Sequence, residues 1–194
     1  MRIVGGRWRG HPIEAPEGRD VTRPTTDRTR EQMASMVLSA FGLDLSEVSV
    51  LDAFAGSGAI GLELLSRGAR RCTFVDMDRK AAARVRRNAE ALGATRQEFA
   101  VVTGDVAKLV ARGPLPNAPF SLLVLDPPYA MPVAQVASLV EGLVASGQLA
   151  PGAVVLYERA SKAEGLALAH ARIEKSKSHG TTAVDLLVMG DPDE

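Results

Sequence analysis

The chain has 194 residues, 46% of them hydrophobic, enough to bury one full core in a single domain. Its 23 Lys and Arg balance 23 Asp and Glu, so the net charge of +0 gives no general attraction for nucleic acid or anionic lipid. There is no apolar run of about 18 residues, no apolar signal segment in MRIVGGRWRGH, and one cysteine, which excludes a disulfide framework and predicts a cytoplasmic protein without a membrane partner.

Charge is nevertheless uneven. Residues 1–30 hold seven arginines against four acids. Residues 1–24, rich in Gly, Pro and Arg, read as a short β-hairpin or extended arm, and residues 25–194 as the main domain. Within the arm, Arg2, Arg7, Arg9 and Arg19 surround Trp8, which can stack on an unpaired base or simply pack with Ile3 and Val4 on the body. The stretch TTDRTREQMASMVLSAFG then reads as a helix with Thr26 or Asp27 as N-cap.

From Val48 onward, short apolar runs alternate with helical stretches. VSVLDAFA is a strand and AIGLELLSRG a helix; RCTFVDMD is a strand and RKAAARVRRNAEALG a helix with a basic outer face. EFAVVTGD, then VAKLVARG, then FSLLVLD, then VAQVASLVEGLVASG, then AVVLYERA continue the pattern. Strands separated by helices of this length predict parallel βαβ units in a doubly wound sheet. ARIEKSKS and TTAVDLLVM, joined at HG, break the alternation and predict an antiparallel edge hairpin. Cys72 sits in the apolar run CTFV as a small buried residue, and His11, His170 and His179 are too scattered to predict a metal site.

The first strand leads into DAFAGSGAIG, where Gly56, Gly58 and Gly61 have the GxGxxG spacing that lets backbone N–H groups approach a ligand. The second strand ends at Asp76, placed to accept both hydroxyls of a ribose. A nicotinamide cofactor and S-adenosylmethionine both fit so far. Asp52, inside the turn, favours the second, because a carboxylate suits an ammonium group better than a pyrophosphate. Asp105 ends the third strand, as an acceptor for the adenine amine or as the N-cap of VAKLVARG.

The fourth strand stops at Asp126-Pro127-Pro128-Tyr129. Two prolines cannot continue a central strand. They are a rigid turn, or they hold the Asp126 carboxylate, the Pro127 carbonyl and the Tyr129 ring in a preorganised pocket.

With DAFAGSG, VDMD, TGD and DPPY at strand ends, the chain resembles class I S-adenosylmethionine-dependent methyltransferases, and DPPY resembles the [DNS]PP[YFW] motif of those that methylate exocyclic amines of bases. RIVGGRWRG, RPTTDRTRE, LDAFAGSGAIGLELLSRGA and DPPY together resemble the RsmD family, which methylates guanine N2 in bacterial 16S ribosomal RNA. The resemblance implies a Rossmann-like α/β fold with a mostly parallel seven-stranded sheet, an S-adenosylmethionine donor, and the small ribosomal subunit or its assembly precursor as partner. The chain is expected to be a monomer. It carries Asp126, Pro127, Pro128 and Tyr129 over as the catalytic loop. Asp52, Phe54, Gly56, Gly58, Asp76, Met77, Asp105 and Val106 are carried over as the cofactor site. Arg2, Arg7, Trp8, Arg9, Arg23, Arg28 and Arg30 would face RNA.

Three rivals stand beside it. A DNA adenine-N6 methyltransferase also uses DPPY, but the chain has no room for a separate target-recognition domain. A nicotinamide oxidoreductase has no use for DPPY. A non-catalytic RNA-binding assembly factor would not require an intact glycine loop with DPPY.

Overall fold

A computed structural model describes residues 1–16 and 26–190. Helix α1 (Asp27–Ala40) begins where the Thr26 hydroxyl accepts from the Thr29 N–H at 3.2 Å, so Thr26 is the N-cap. There follow β1 (Ser49–Asp52), α2 (Ala59–Ser66), β2 (Arg71–Asp76), α3 (Arg79–Ala91) and β3 (Phe99–Thr103). Then come α4 (Val106–Arg112), β4 (Phe120–Leu125), α5 (Val133–Ala145), β5 (Leu149–Ala160), β6 (Ala171–His179) and β7 (Thr182–Met189).

The seven strands lie in the order β3-β2-β1-β4-β5-β7-β6, parallel from β3 to β5 and antiparallel where β7 joins β5 and β6. This is the doubly wound sheet with an edge hairpin that the sequence predicts. Its inner strands are apolar on both faces because helices cover both. Val50, Phe74, Leu122, Val124 and Leu156 face Met33, Leu62, Leu65 and Val85. Leu51, Val75, Leu123, Leu125 and Val155 face Val110, Val136, Val140 and Leu143. Each such side chain, fully buried, contributes about 1.5–3 kcal/mol before conformational entropy is counted.

Two boundaries differ from expectation. β1 stops at Asp52 because Ala53–Gly58 form the turn. β5 starts at Leu149, which pairs with Phe120 across a register shift; Pro151 lacks an N–H and Gly152 has φ +69, so the ladder is interrupted there without ending.

Residues 1–16 are fastened to the body. The Ile3 N–H donates to His11, Gly10 to Ile3 and Ile13 to Met1, around the isolated bridge Arg2–Pro12, so the segment is a closed loop short of a regular hairpin. Ile3, Trp8 and Ile13 enter the core beneath α1 and α2. Glu63, buried on α2, accepts the N–H groups of Val4 and Gly5 at 2.8 Å each, and the Ser66 hydroxyl accepts from Trp8 N–H at 2.9 Å. Among the described residues, no helix is long and apolar enough to cross a membrane.

Strand order reverses between β1 and β4, and a sheet of this kind leaves a ligand crevice at the carboxyl ends of those strands.

Candidate active site

Asp52 and Asp76 end β1 and β2, while Asp105 and Asp126 lie just past β3 and β4. They surround a cleft of about 350 Å³. Of the residues expected to hold a cofactor, Asp52, Phe54, Gly56, Asp76, Met77, Asp105 and Val106 all line it. So do Asp126, Pro127, Pro128 and Tyr129. Gly58 is the exception: it caps α2 with φ +77 and faces Val85.

The loop after β1 is shaped by contacts that need bare backbone. Gly56 has φ +57, and its N–H donates to Asp76 Oδ2 at 2.8 Å. The other Asp76 oxygen accepts from Asp78 N–H at 2.8 Å, so this acid braces the loop while facing the cleft. At Gly61, a Cβ would lie 2.3 Å from the Phe74 ring and 2.7 Å from Cys72 Sγ. Its absence lets α2 sit close against β2. Cys72 is buried, and burial raises its thiol pKa well above the ordinary value, as suits a packing residue.

Asp52 accepts the Gly61 N–H at 3.2 Å from a buried position. Burial pushes its pKa up to about 7, and the Asp126 and Asp76 charges push the same way. Burial likewise raises Asp126 to about 6. Asp52 and Asp126 on the floor of the cleft therefore ionise reluctantly until a cation or a donor arrives. Asp105 Oδ1 accepts from Lys108 N–H at 3.2 Å, which makes it the N-cap of α4, and it also lines the cleft.

The proline pair is both a strand stop and a pocket wall. The Met131 N–H donates to Pro128 O at 2.8 Å, closing the turn, and Pro132 then caps α5. Tyr129 remains 55% exposed, with its hydroxyl 3.5 Å from that of Thr182.

Two residues expected to face RNA do not. Trp8 is 7% exposed and Arg30 1%. Trp8 packs into the core with the Arg7 guanidinium 4.2 Å above its ring, which leaves no open face for a base. Arg30 donates to the Arg2 carbonyl at 2.8 Å and to Asp27 at 2.6 Å, tying the arm to α1. Arg2, Arg7, Arg9 and Arg28 are exposed, with Arg2 paired to Asp27 and Arg7 to Glu98. Arg19 and Arg23 lie outside the described residues. A basic hollow on α3, lined by Arg79, Lys80, Arg84 and Arg87, runs beside Glu14 of the arm.

Sequence reasoning missed Glu158 and Glu63. Glu158 is buried in the cleft wall, and its signal is an acid closing the apolar run AVVLY, as Asp126 closes LLVL. Glu63 is a lone acid in the apolar helix AIGLELLS, a pattern that marks an internal partner. Among the described residues, no group of three or more His, Cys, Asp or Glu is placed to hold a metal ion.

Strand order, the glycine loop and the acidic strand ends define a Rossmann-like class I methyltransferase fold. The solved structure of yhhF from Escherichia coli matches it with a TM-score of 0.78 and 27% identity, covering 98% of each chain. Ribosomal RNA small subunit methyltransferase D of Escherichia coli is 35% identical over 129 residues, which are 66% of this chain and 60% of that relative. The Haemophilus influenzae protein of the same name is 30% identical over 160 residues, covering 81% of this chain and 78% of the relative. The alignment thus spans less than two thirds of the Escherichia coli relative's length. The family model described as conserved hypothetical protein 95 matches residues 1–188. The chain belongs to this family, the RsmD family.

Proposed function

We propose that this chain transfers a methyl group from S-adenosylmethionine to the exocyclic N2 amine of a guanine in 16S ribosomal RNA, in the small subunit or its assembly precursor. The observation that carries this reading is one cleft shared by the glycine loop and the Asp126–Tyr129 turn. Membership of the RsmD family supports the reaction class.

The residues present fit the cofactor. Gly56 keeps the loop free of a side chain where backbone meets the cleft. Asp52, buried and reluctant to ionise, suits an ammonium group. Asp76 has lone pairs left for ribose hydroxyls after its two backbone bonds, and Asp105 has a second oxygen left for an adenine amine. Phe54, Met77 and Val106 supply apolar wall for a ring. When bound, S-adenosylmethionine supplies an electrophilic methyl group on a positively charged sulfur.

The chain's own residues do the rest. A guanine amine is a poor nucleophile because its lone pair is conjugated into the ring. The Asp126 carboxylate and the Pro127 carbonyl accept its two hydrogens and turn the lone pair toward the methyl group. Pro127 and Pro128 hold those acceptors in place beforehand, which is electrostatic preorganisation. In accepting the methyl group the amine nitrogen would give up one proton, and Asp126 would take it; its pKa of about 6 suits a proton acceptor near neutral pH. Tyr129, exposed at the rim, stacks on the flipped base. Such stacking is worth about 1–3 kcal/mol, comparable with the few kcal/mol that extrusion costs. Phosphates then follow Arg9, Arg28 and the basic hollow of α3.

Nucleoside mass spectrometry of ribosomal RNA from cells with and without this protein tests the reading. Loss of N2-methylguanosine is expected. Loss of N6-methyladenine from DNA instead would hand the function to the DNA-modifying rival.

A further inference from the structure

Beyond Pro127, Pro128 and Tyr129, which line both spaces together with Met131 and Glu158, the cleft opens into a second hollow of about 210 Å³; Asp126 lines the first space only. Leu125 and Tyr157 are paired across β4 and β5, so Asp126 and Glu158, each one residue further on, are neighbours on adjoining strands. Glu158 is 6% exposed, and Tyr129 and Met131 wall the same hollow. Where the cleft meets this hollow, an exposed aromatic, the Asp126 and Pro127 acceptors on the cleft side and a buried carboxylate shared by both spaces have the form of a purine pocket. Resting on the methyl-transfer reading above, we propose that this junction of cleft and hollow receives the target base and that Glu158 selects guanine by accepting its N1–H.

The chemistry is specific to one edge. Guanine presents two adjacent donors, N1–H and the 2-amine, and the pair Asp126 and Glu158 presents two adjacent acceptors. Adenine and 2-aminopurine have an unprotonated N1, whose lone pair would face the Glu158 carboxylate in repulsion. A site built to bond a donor rejects an analogue lacking it far more strongly than an apolar pocket rejects a change of size. Asp126 alone cannot make this distinction, because an exocyclic amine is common to all three bases. Glu158 is thus a specificity-determining residue.

The test uses the full-length protein and small subunits reconstituted on ribosomal RNA carrying guanine or 2-aminopurine at the methylated position. 2-Aminopurine keeps the 2-amine but has an unprotonated N1 and no O6. Wild type should prefer guanine in kcat/KM by on the order of 10²-fold or more. Glu158→Gln, whose amide can donate to N1, should narrow that preference to within about 10-fold, with S-adenosylmethionine binding unchanged by calorimetry. The ratio is internal to each enzyme, so a partly misfolded variant does not distort it. Equal proportional losses on both substrates would make Glu158 a structural wall residue and overturn the assignment. A wild type that methylates neither substrate overturns the methyl-transfer reading itself, and the guanine pocket with it.

Discussion

A carboxyl at the base of the cleft changes how the molecule responds to pH. Asp52 is raised from 3.8 to about 7, so between those values the folded protein keeps a proton that the unfolded chain has released. Stability from this group therefore falls as pH rises from about 4 to 7. Without cofactor, Asp52→Asn should stabilise the protein at pH 8 by on the order of 2–4 kcal/mol, or about 5–10 °C in Tm. The gain should vanish near pH 4, and calorimetric scans across that range check it. The same linkage predicts that wild-type affinity for S-adenosylmethionine rises with pH up to about 7, because a cation displaces the Asp52 proton. Under the proposed function, Asp126→Ala and Tyr129→Ala should act on the base instead. Loss of the preorganised Asp126 acceptor should lower turnover by about 10²–10³ while cofactor binding survives. Near-normal turnover in Asp126→Ala would reduce the proline turn to a strand stop.

At the scale of elements, the arm is held by polar contacts to three helices: Arg30 on α1, Glu63 and Ser66 on α2, and Asn88 on α3, which exchanges hydrogen bonds with the Glu14 backbone. Glu63 alone accepts from Val4, Gly5 and Arg67, each at 2.8 Å. Glu63→Ala leaves those donors without it and should cost about 2–4 kcal/mol, read by chemical denaturation. Arginines divide by the same logic. Arg30→Ala should lower stability, since this side chain is 1% exposed and bonds to the arm. Replacing exposed Lys80 and Arg79 on α3 by Ala should leave stability nearly unchanged. The salt slope of RNA binding should fall by roughly 0.7–0.9 for each phosphate that those side chains neutralise. An unchanged slope would move the RNA surface off α3. The elements themselves were legible because apolar period, caps and glycines are local signals, and the acids at strand ends follow from them. Trp8 and Arg30 were not, because an aromatic among arginines reads alike whether it faces core or solvent. Glu158 was hidden for a related reason: only the β4–β5 register shows that it stands beside Asp126.

For the whole molecule, a parallel sheet whose order reverses between β1 and β4 gathers four strand ends into one place, and the family's glycine loop and proline turn occupy them. Net charge of +0 means that any attraction for RNA arises from local patches, so binding should be salt-sensitive yet confined to a defined face. Under the proposed function, this one cleft carries a methyl group to guanine N2. Purified protein, S-adenosylmethionine and small subunits from cells lacking the protein should yield N2-methylguanosine by nucleoside mass spectrometry, and Asp126→Ala under the same conditions should yield about 10²-fold less at early times. Methyl groups on adenine, or equal N2-methylguanosine from Asp126→Ala, would overturn the proposed function.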